Sequence, residues 1–241
     1  MRARLPRPVS LVLAACVLLG GTLTACTSGG TTDDGGAAVP GETVSASDLV
    51  PSPSSVAGLS AQQPDLVLER ASFCDQVPDA AVLAALGRRE GGRVPSLAQW
   101  DDGDTTVLTQ GLAEGTSDVA HEYGCRWTTG RGAAVVPGVQ AWVYAPAVGT
   151  GRARSLARGL ADSVSGDGVT CQERADADVL GTVGATAVCS SDAGRAVVRA
   201  GLLGEAWLTC TVTARSDVAT GALLRRSDAW CAAVALAGAA D

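Results

Sequence analysis

Apolar residues along the middle of the chain recur first at helical spacing and then at strand spacing. Over 78–86 the apolar side chains fall on one face and Gly87 follows, a pattern that predicts a short helix. Large apolar side chains alternate with small or polar ones over 123–128, and 138–145 follows a Pro-Gly turn, so a strand is predicted in each range. Over 152–164 apolar residues return every three or four positions, which is typical of an amphipathic helix.

The second half of the chain is richer in strand patterns. Strands are predicted over 169–173, 185–190, 195–203 and 206–214, with hairpin turns at 192–194 and 204–205. Ser216 is predicted to cap an Ala-rich helix that runs to about Gly238. Consecutive hairpins make neighbouring strands antiparallel. The predicted fold class is α+β, an antiparallel sheet of about five to six strands with helices packed on one face.

A different pattern occupies the beginning of the chain. Three arginines precede residue 8, and the apolar run over 9–21 is shorter than a bilayer span, which needs about 20 residues. Residues 23–26 read Leu-Thr-Ala-Cys, with small residues before a cysteine as in the lipobox of bacterial lipoprotein signals. We expect cleavage before Cys26 and attachment of a diacylglyceryl group to its sulfur. A second box ends at Cys16, but it would leave a shorter apolar run, so Cys26 is preferred.

These patterns divide the chain into three parts. Residues 1–25 are predicted as a lipoprotein signal peptide, 26–65 as a flexible tether rich in Gly, Ser, Thr and Pro, and 66–241 as a single disulfide-stabilised globular domain. The predicted location is the extracytoplasmic face of the cell membrane. There the protein is held by acyl chains such as palmitate, since two or more chains anchor stably where one does not.

The cysteine count predicts a disulfide framework. Cys16 leaves with the signal peptide and Cys26 carries lipid, so six cysteines remain in the body: Cys74, Cys125, Cys171, Cys189, Cys210 and Cys231. An even number in an exported chain predicts disulfides, although six cysteines allow fifteen connectivities. The element order favours pairs between neighbours in the chain, namely Cys74 with Cys125, Cys171 with Cys189 and Cys210 with Cys231. Since no pair has C-x-x-C spacing, no metal or redox site is predicted.

Two short motifs carry a resemblance to a known family. Phe-Cys-Asp at 73–75 leads into a helix that ends Ala-Ala-Leu-Gly at 84–87, and Gly-Cys-Arg-Trp follows at 124–127. The chain resembles actinobacterial lipoproteins that carry a domain of unknown function. This resemblance implies a cell-envelope lipoprotein and a first disulfide from Cys74 to Cys125, and it implies no catalytic residues. The 88–120 insertion and four further body cysteines depart from the family pattern. More distantly, the layout is similar to extracellular sensor domains of mycobacterial serine/threonine kinases.

Charge and motifs argue against several classes of protein. The formal net charge is −7 and no basic stripe is present, which argues against nucleic acid, whose affinity depends on contacts to phosphates. The only histidine, His121, is predicted to lie at the surface, and no nucleophile elbow, dinucleotide-binding turn or Walker loop occurs. Asp101, Asp102 and Asp104 lack the register of an EF-hand and are predicted to form a solvated acidic loop, with a weak cation site or a catalytic carboxylate pair as the alternatives. We predict no catalytic residue, no metal ligand and no cofactor.

Two further groups of residues allow more than one interpretation. The arginines of the helical stretches, Arg152, Arg154, Arg158, Arg225 and Arg226, are predicted to form solvated helix faces, with contact to an anionic ligand or partner as the alternative. Trp142 and Tyr144 share one side of their strand. We predict that they pack in the core, with an aromatic groove for a peptide or glycan as the alternative.

Three functions remain open. The first is a monomeric, non-enzymatic accessory lipoprotein that binds an envelope protein or a small ligand, which predicts a mostly apolar pocket between sheet and helices. The second is an envelope hydrolase that uses paired carboxylates, which requires two acidic side chains converging in a cleft. The third is a structural spacer, which predicts neither a pocket nor an apolar patch. The sequence does not identify the ligand or the partner.

Overall fold

The computed structural model describes residues 53–109, 111–112, 115–129 and 137–240. The predicted signal peptide, the lipidation site Cys26 and most of the predicted tether lie outside these residues. Within them, the predicted α+β class and the antiparallel sheet are confirmed. None of the helices in this part of the chain is long and apolar enough to cross a membrane.

Helices and strands follow one another in groups along the described residues. The helices are α1 (Val56–Gln62), α2 (Asp79–Ala85), α3 (Thr150–Arg158), α4 (Leu160–Ser163) and α5 (Thr220–Ala237). The strands are β1 (Leu97–Trp100), β2 (Thr105–Leu108), β3 (Thr116–Val119), β4 (Glu122–Thr128), β5 (Gly138–Tyr144), β6 (Thr170–Glu173), β7 (Gly184–Ser191), β8 (Gly194–Leu203) and β9 (Ala206–Ala214). The predicted hairpins β7–β8 and β8–β9 are both present.

Seven strands form one antiparallel sheet in the order β1-β4-β5-β9-β8-β7-β6, and β2 and β3 pair separately. The predicted number of five to six strands is too small, because β1 adds a strand at one edge. Only Trp100 of its four residues is buried. Because the other three are exposed, β1 lacks the apolar alternation that identifies a half-buried strand.

Both faces of the sheet are covered, so the prediction of helices on one face is wrong. On the front face, Val197, Leu208 and Val212 pack with α5, and α1 and α2 lie beside α5. Ala196 and Val198 point to the opposite, back face, part of which α3 and α4 cover. Strands β8 and β9 are buried on both sides. Such strands read as nearly continuous apolar runs, which do not reveal where a helix packs.

The 88–120 insertion covers another part of the back face. After β2, the Thr109 hydroxyl donates a hydrogen bond to Gln140 Oε1 (2.9 Å) and accepts one from Arg126 Nη1 (3.0 Å). Leu112 packs into the back-face core with residues of α4, β7 and β8. The insertion is therefore part of the folded domain.

The folded domain also begins earlier than predicted. Helix α1 lies within the range assigned to the tether, and its Val56 and Leu59 are buried in the front-face core. The Val56 N–H donates to Asp228 Oδ1 on α5 (3.2 Å), and the same carboxylate lies 3.6 Å from Arg199 Nη2 on β8. Two apolar residues three positions apart are too few to show helical periodicity, but they suffice to attach α1 to α5.

Two other helix boundaries differ from prediction. The helix predicted over 152–164 is divided at Gly159 into α3 and α4. Helix α5 begins at Thr220, with Ala219 at the N-cap position, so Ser216 does not cap it. The first turn of α5 is thus left without a capping side chain or an acidic residue.

Candidate functional site

The six body cysteines lie in three adjacent pairs. Cys171 on β6 and Cys189 on β7 stand opposite each other and form a disulfide. The Cys125 thiol interacts with Cys74, and the Cys210 thiol interacts with Cys231. These four are buried free cysteines in this structure. One predicted bridge is therefore present, and each remaining cysteine lies beside its predicted partner.

The buried pairs have the chemistry of structural cysteines. Burial raises the pKa of both Cys125 and Cys210, and the neighbouring thiol raises it further in each case. A reactive cysteine needs the opposite, a lowered pKa and access to solvent. Cys125 and Cys210 are therefore unsuited to act as nucleophiles.

The acidic loop is solvated, as predicted. Asp101, Asp102 and Asp104 are all exposed, and the Asp101 N–H donates to Asp104 Oδ2 (2.8 Å) within the turn. His121 is exposed as predicted, and its Nδ1 lies 3.7 Å from Asp102 Oδ1. The hydrolase hypothesis required carboxylates that converge in a cleft, which these do not. Within the described ranges, no three His, Cys, Asp or Glu residues are placed to hold a metal ion.

The predicted arginine faces are largely solvated. Arg152, Arg154 and Arg158 on α3 and Arg225 on α5 are exposed. Arg226 is half-buried, because its guanidinium lies against Gly87 after α2. A side chain at Gly87 would occupy the space of that guanidinium.

Trp142 belongs to an aromatic cluster on the back face. It packs with Trp100 and Ala120, and half-buried Tyr144 lies against them. A Cβ at Gly124, which pairs with both tryptophans across neighbouring strands, would collide with the Trp100 ring. Because both indole rings are buried, the cluster forms core rather than an open aromatic groove.

Glu122 is the ionisable residue of this cluster. Its Oε1 accepts a hydrogen bond from Trp100 Nε1 (3.3 Å), and it pairs across strands with Tyr144. Burial raises the pKa of Glu122 to about 7, while the indole hydrogen bond acts in the opposite direction. Burial and the nearby Glu122 carboxylate raise the pKa of Tyr144. Glu122 therefore gains and loses its proton near neutral pH, at the edge of the aromatic cluster.

Replacement Glu122→Gln should change how stability depends on pH. Between pH 4.5 and about 7 the unfolded chain ionises Glu122 while the folded chain keeps it protonated, so wild-type stability falls as pH rises through this window. The amide preserves an acceptor for Trp100 but does not titrate. From pH 4 to pH 8, the free energy of unfolding of the variant should rise by about 1–2 kcal/mol relative to that of the wild type. The expected difference is kept small because Glu122 is partly exposed. Urea unfolding at both pH values measures it, and parallel pH profiles would contradict the assignment.

A cleft lies on the front face at the start of α5, beside strands β6, β7 and β8. Its volume is about 340 Å³, within the range of small-molecule sites. The lining residues are Thr170, Gln172, Arg174, Val188, Cys189, Ser190, Arg195 and Thr220. Strand register explains why they meet: Thr170 pairs with Ser190, and Ser190 pairs with Arg195, so one row crosses three strands.

The cleft differs from the pocket that the sequence led us to expect. A ligand-binding role predicted a mostly apolar pocket between sheet and helices, whereas Val188 is the one large apolar side chain among the lining residues. Arg195 Nη1 donates to the Val218 carbonyl (2.8 Å), which holds the guanidinium beside the loop that enters α5. Arg174 forms a two-point contact with Asp176 through Nε (2.8 Å) and Nη2 (2.7 Å).

Sequence reasoning did not single out the cleft residues. The one available signal was the polar pair Thr170 and Gln172 on alternate positions of a predicted strand, next to Arg174. Arg195 and Thr220 join them only through sheet register and through the place where α5 starts. No family model matches the chain, and no curated protein or solved structure matches it.

Proposed function

We propose that the protein is a lipid-anchored lipoprotein of the cell envelope whose folded domain is a non-enzymatic binding module. The observation that carries the binding role is the cleft at the edge of the sheet, with its volume of about 340 Å³. A structural spacer has no need of such a cleft. The hydrolase alternative needs acidic side chains that converge in a cleft, and the exposure of Asp101, Asp102 and Asp104 gives it less support.

The proposal also includes three disulfides in the exported protein. Thiols that already lie side by side need little movement to form a bridge, and an extracytoplasmic location is oxidising enough to keep it. The Cys74–Cys125 and Cys210–Cys231 bridges would then lie in the front-face core, beside α2 and α5. The Cys171–Cys189 bridge lies at the edge of the sheet and packs with the back-face core, and Cys189 also lines the cleft.

The anchor is tested by labelling producing cells with a palmitate analogue. Because the lipidated sulfur belongs to Cys26, wild-type protein and Cys16→Ser should incorporate the label, whereas Cys26→Ser should lose it completely. The Cys16→Ser variant is the matched control, since it removes the cysteine of the rival box and leaves the preferred one. Label retained by Cys26→Ser and lost from Cys16→Ser would overturn the assignment of the site.

The binding role is tested with the lipidated mature chain in detergent, titrated with three small-molecule classes: anionic, neutral sugar and cationic. NMR signals of the cleft residues report on binding. We expect one class to give saturable changes confined to the cleft, for example at Arg195 and Thr220. If no class changes these signals, the cleft is not a small-ligand site and the binding proposal fails.

A further inference from the structure

The donors around the cleft indicate what kind of ligand it takes. Arg174 and Arg195 supply guanidinium groups, Thr170, Ser190 and Thr220 supply hydroxyls, and Gln172 supplies an amide. None of the eight lining residues, all within the described part of the chain, is acidic. Asp176 balances the charge of Arg174, so the lining keeps the positive charge of Arg195, although the whole chain has a formal net charge of −7. Such a lining attracts an anion more strongly than a neutral or cationic molecule.

Arg195 is the central cation of this cleft. It is half-buried, and no carboxylate among the described residues forms an ion pair with it. One of its nitrogens is occupied by the Val218 carbonyl, which fixes the position of the guanidinium and leaves its other N–H groups as donors. Arg174 is already paired with exposed Asp176, so we assign it the smaller contribution.

The start of α5 adds further donors to the cleft, although the choice of an anionic ligand does not depend on them. Thr220, the first residue of this 18-residue helix, lines the cleft, and no side chain caps the helix. The unpaired N–H groups of the first turn carry partial positive charge, which favours an anion nearby. Hydroxyl and guanidinium donors around one cleft match the several oxygens of a phosphoryl group better than the two oxygens of a carboxylate.

We propose that the cleft binds the phosphoryl group of a small phosphorylated molecule, with Arg195 as its main cationic contact. This inference rests on the proposed binding function and names the ligand class for the same site. The cleft has room for a phosphoryl group and a small substituent. The net-acidic chain argues against docking on an anionic lipid surface, so we assign the phosphoryl group to a free molecule rather than to a lipid headgroup.

The Cys171–Cys189 disulfide fixes the two strands that carry most of the cleft residues. Thr170 and Gln172, on either side of Cys171, point into the cleft, while the cysteine side chain points to the back face. The bridge joins edge strand β6 to β7 at this register pair. It thereby holds the floor of the cleft where the edge strand has only one neighbour.

The test is calorimetric titration of the lipidated mature chain in detergent with inorganic phosphate, a phosphomonoester such as glycerol phosphate, and acetate. The Arg195 Nε–H NMR signal is followed in parallel. We expect saturable binding of both phosphates, with a shifted Arg195 signal, and at least tenfold weaker binding of acetate. Arg195→Gln should weaken phosphate binding about tenfold or more, because a charged donor is lost. Thr220→Val should weaken phosphate binding less, and it provides the test if Arg195→Gln does not fold.

The matched control is Arg215→Gln, which removes an exposed arginine just before α5 that does not line the cleft. It should leave phosphate affinity within about twofold of the wild type. Equal weakening by Arg195→Gln and Arg215→Gln would show unspecific charge attraction and overturn the inference. Saturable binding of acetate or a sugar alone would overturn the phosphate inference and leave the binding function standing. Binding of a soluble short-chain phosphatidylglycerol, without binding of either free phosphate, would show a headgroup source and overturn the assignment to a free molecule.

Discussion

Replacing Cys74 and Cys125 together by alanine should lower the free energy of unfolding of the exported protein by about 4 kcal/mol. The proposed bridge joins the segment before α2 to β4 and closes the longest loop of the three pairs. A longer closed loop restricts the unfolded chain more, so this bridge should stabilise the fold most. Urea unfolding of the oxidised protein measures the difference.

The controls separate loss of the bridge from loss of packing. Cys171→Ala with Cys189→Ala opens a shorter loop at the sheet edge and should cost about 3 kcal/mol. When wild type and the Cys74/Cys125 double variant are both reduced, their unfolding curves should nearly coincide, because the bridge is then absent from both. A loss below about 1 kcal/mol in the oxidised state would mean that these cysteines remain free thiols.

Trp230→Ala should destabilise the domain by about 3–5 kcal/mol. Trp230 on α5 is 1% exposed, and its ring meets that of Trp127 edge to face with the centroids 5.6 Å apart. Its Nε1 donates to the Gln140 carbonyl on β5 (3.1 Å). The truncation therefore opens a cavity between helix and sheet and removes a buried hydrogen bond, and thermal or urea unfolding measures the loss.

Two further variants serve as controls for Trp230→Ala. Trp230→Phe keeps most of the ring volume and loses the indole donor, so we expect a cost of about 1–2 kcal/mol. Val179→Ala truncates a side chain that is 50% exposed and should change stability by less than about 0.5 kcal/mol. A cost for Trp230→Ala no greater than that for Val179→Ala would contradict the packing of α5 on the sheet.

Local patterns predicted the elements whose side chains alternate clearly between core and solvent. Helix α2 and strands β4, β5 and β7–β9 lie within one or two residues of their predicted ranges. The three strands of the 88–120 insertion were missed, because β1 to β3 are largely exposed and show no alternation of apolar residues. Helix α1 was missed because it buries only Val56 and Leu59. In each case tertiary packing supplies stability that local sequence does not indicate.

The cysteine pairs and the cleft differ in how far the sequence could predict them. The order of helices and strands along the chain was enough to predict which cysteine lies beside which. The cleft depends on the register of β6, β7 and β8 and on the residue at which α5 begins, and none of these is encoded within one segment. In the sequence, Arg195 is therefore an ordinary residue of a hairpin. Only the folded sheet places it in one cleft with Ser190 and Thr220.

The central claim is an exported, lipid-anchored domain held by three disulfides, and intact mass tests it most directly. Native protein purified from membranes is alkylated in denaturant, once without and once after reduction. We predict a mature chain that begins at acylated Cys26, takes up no label on its body cysteines before reduction, and takes up label on all six after reduction. A chain that begins elsewhere without lipid, or body cysteines that react before reduction, would contradict the account.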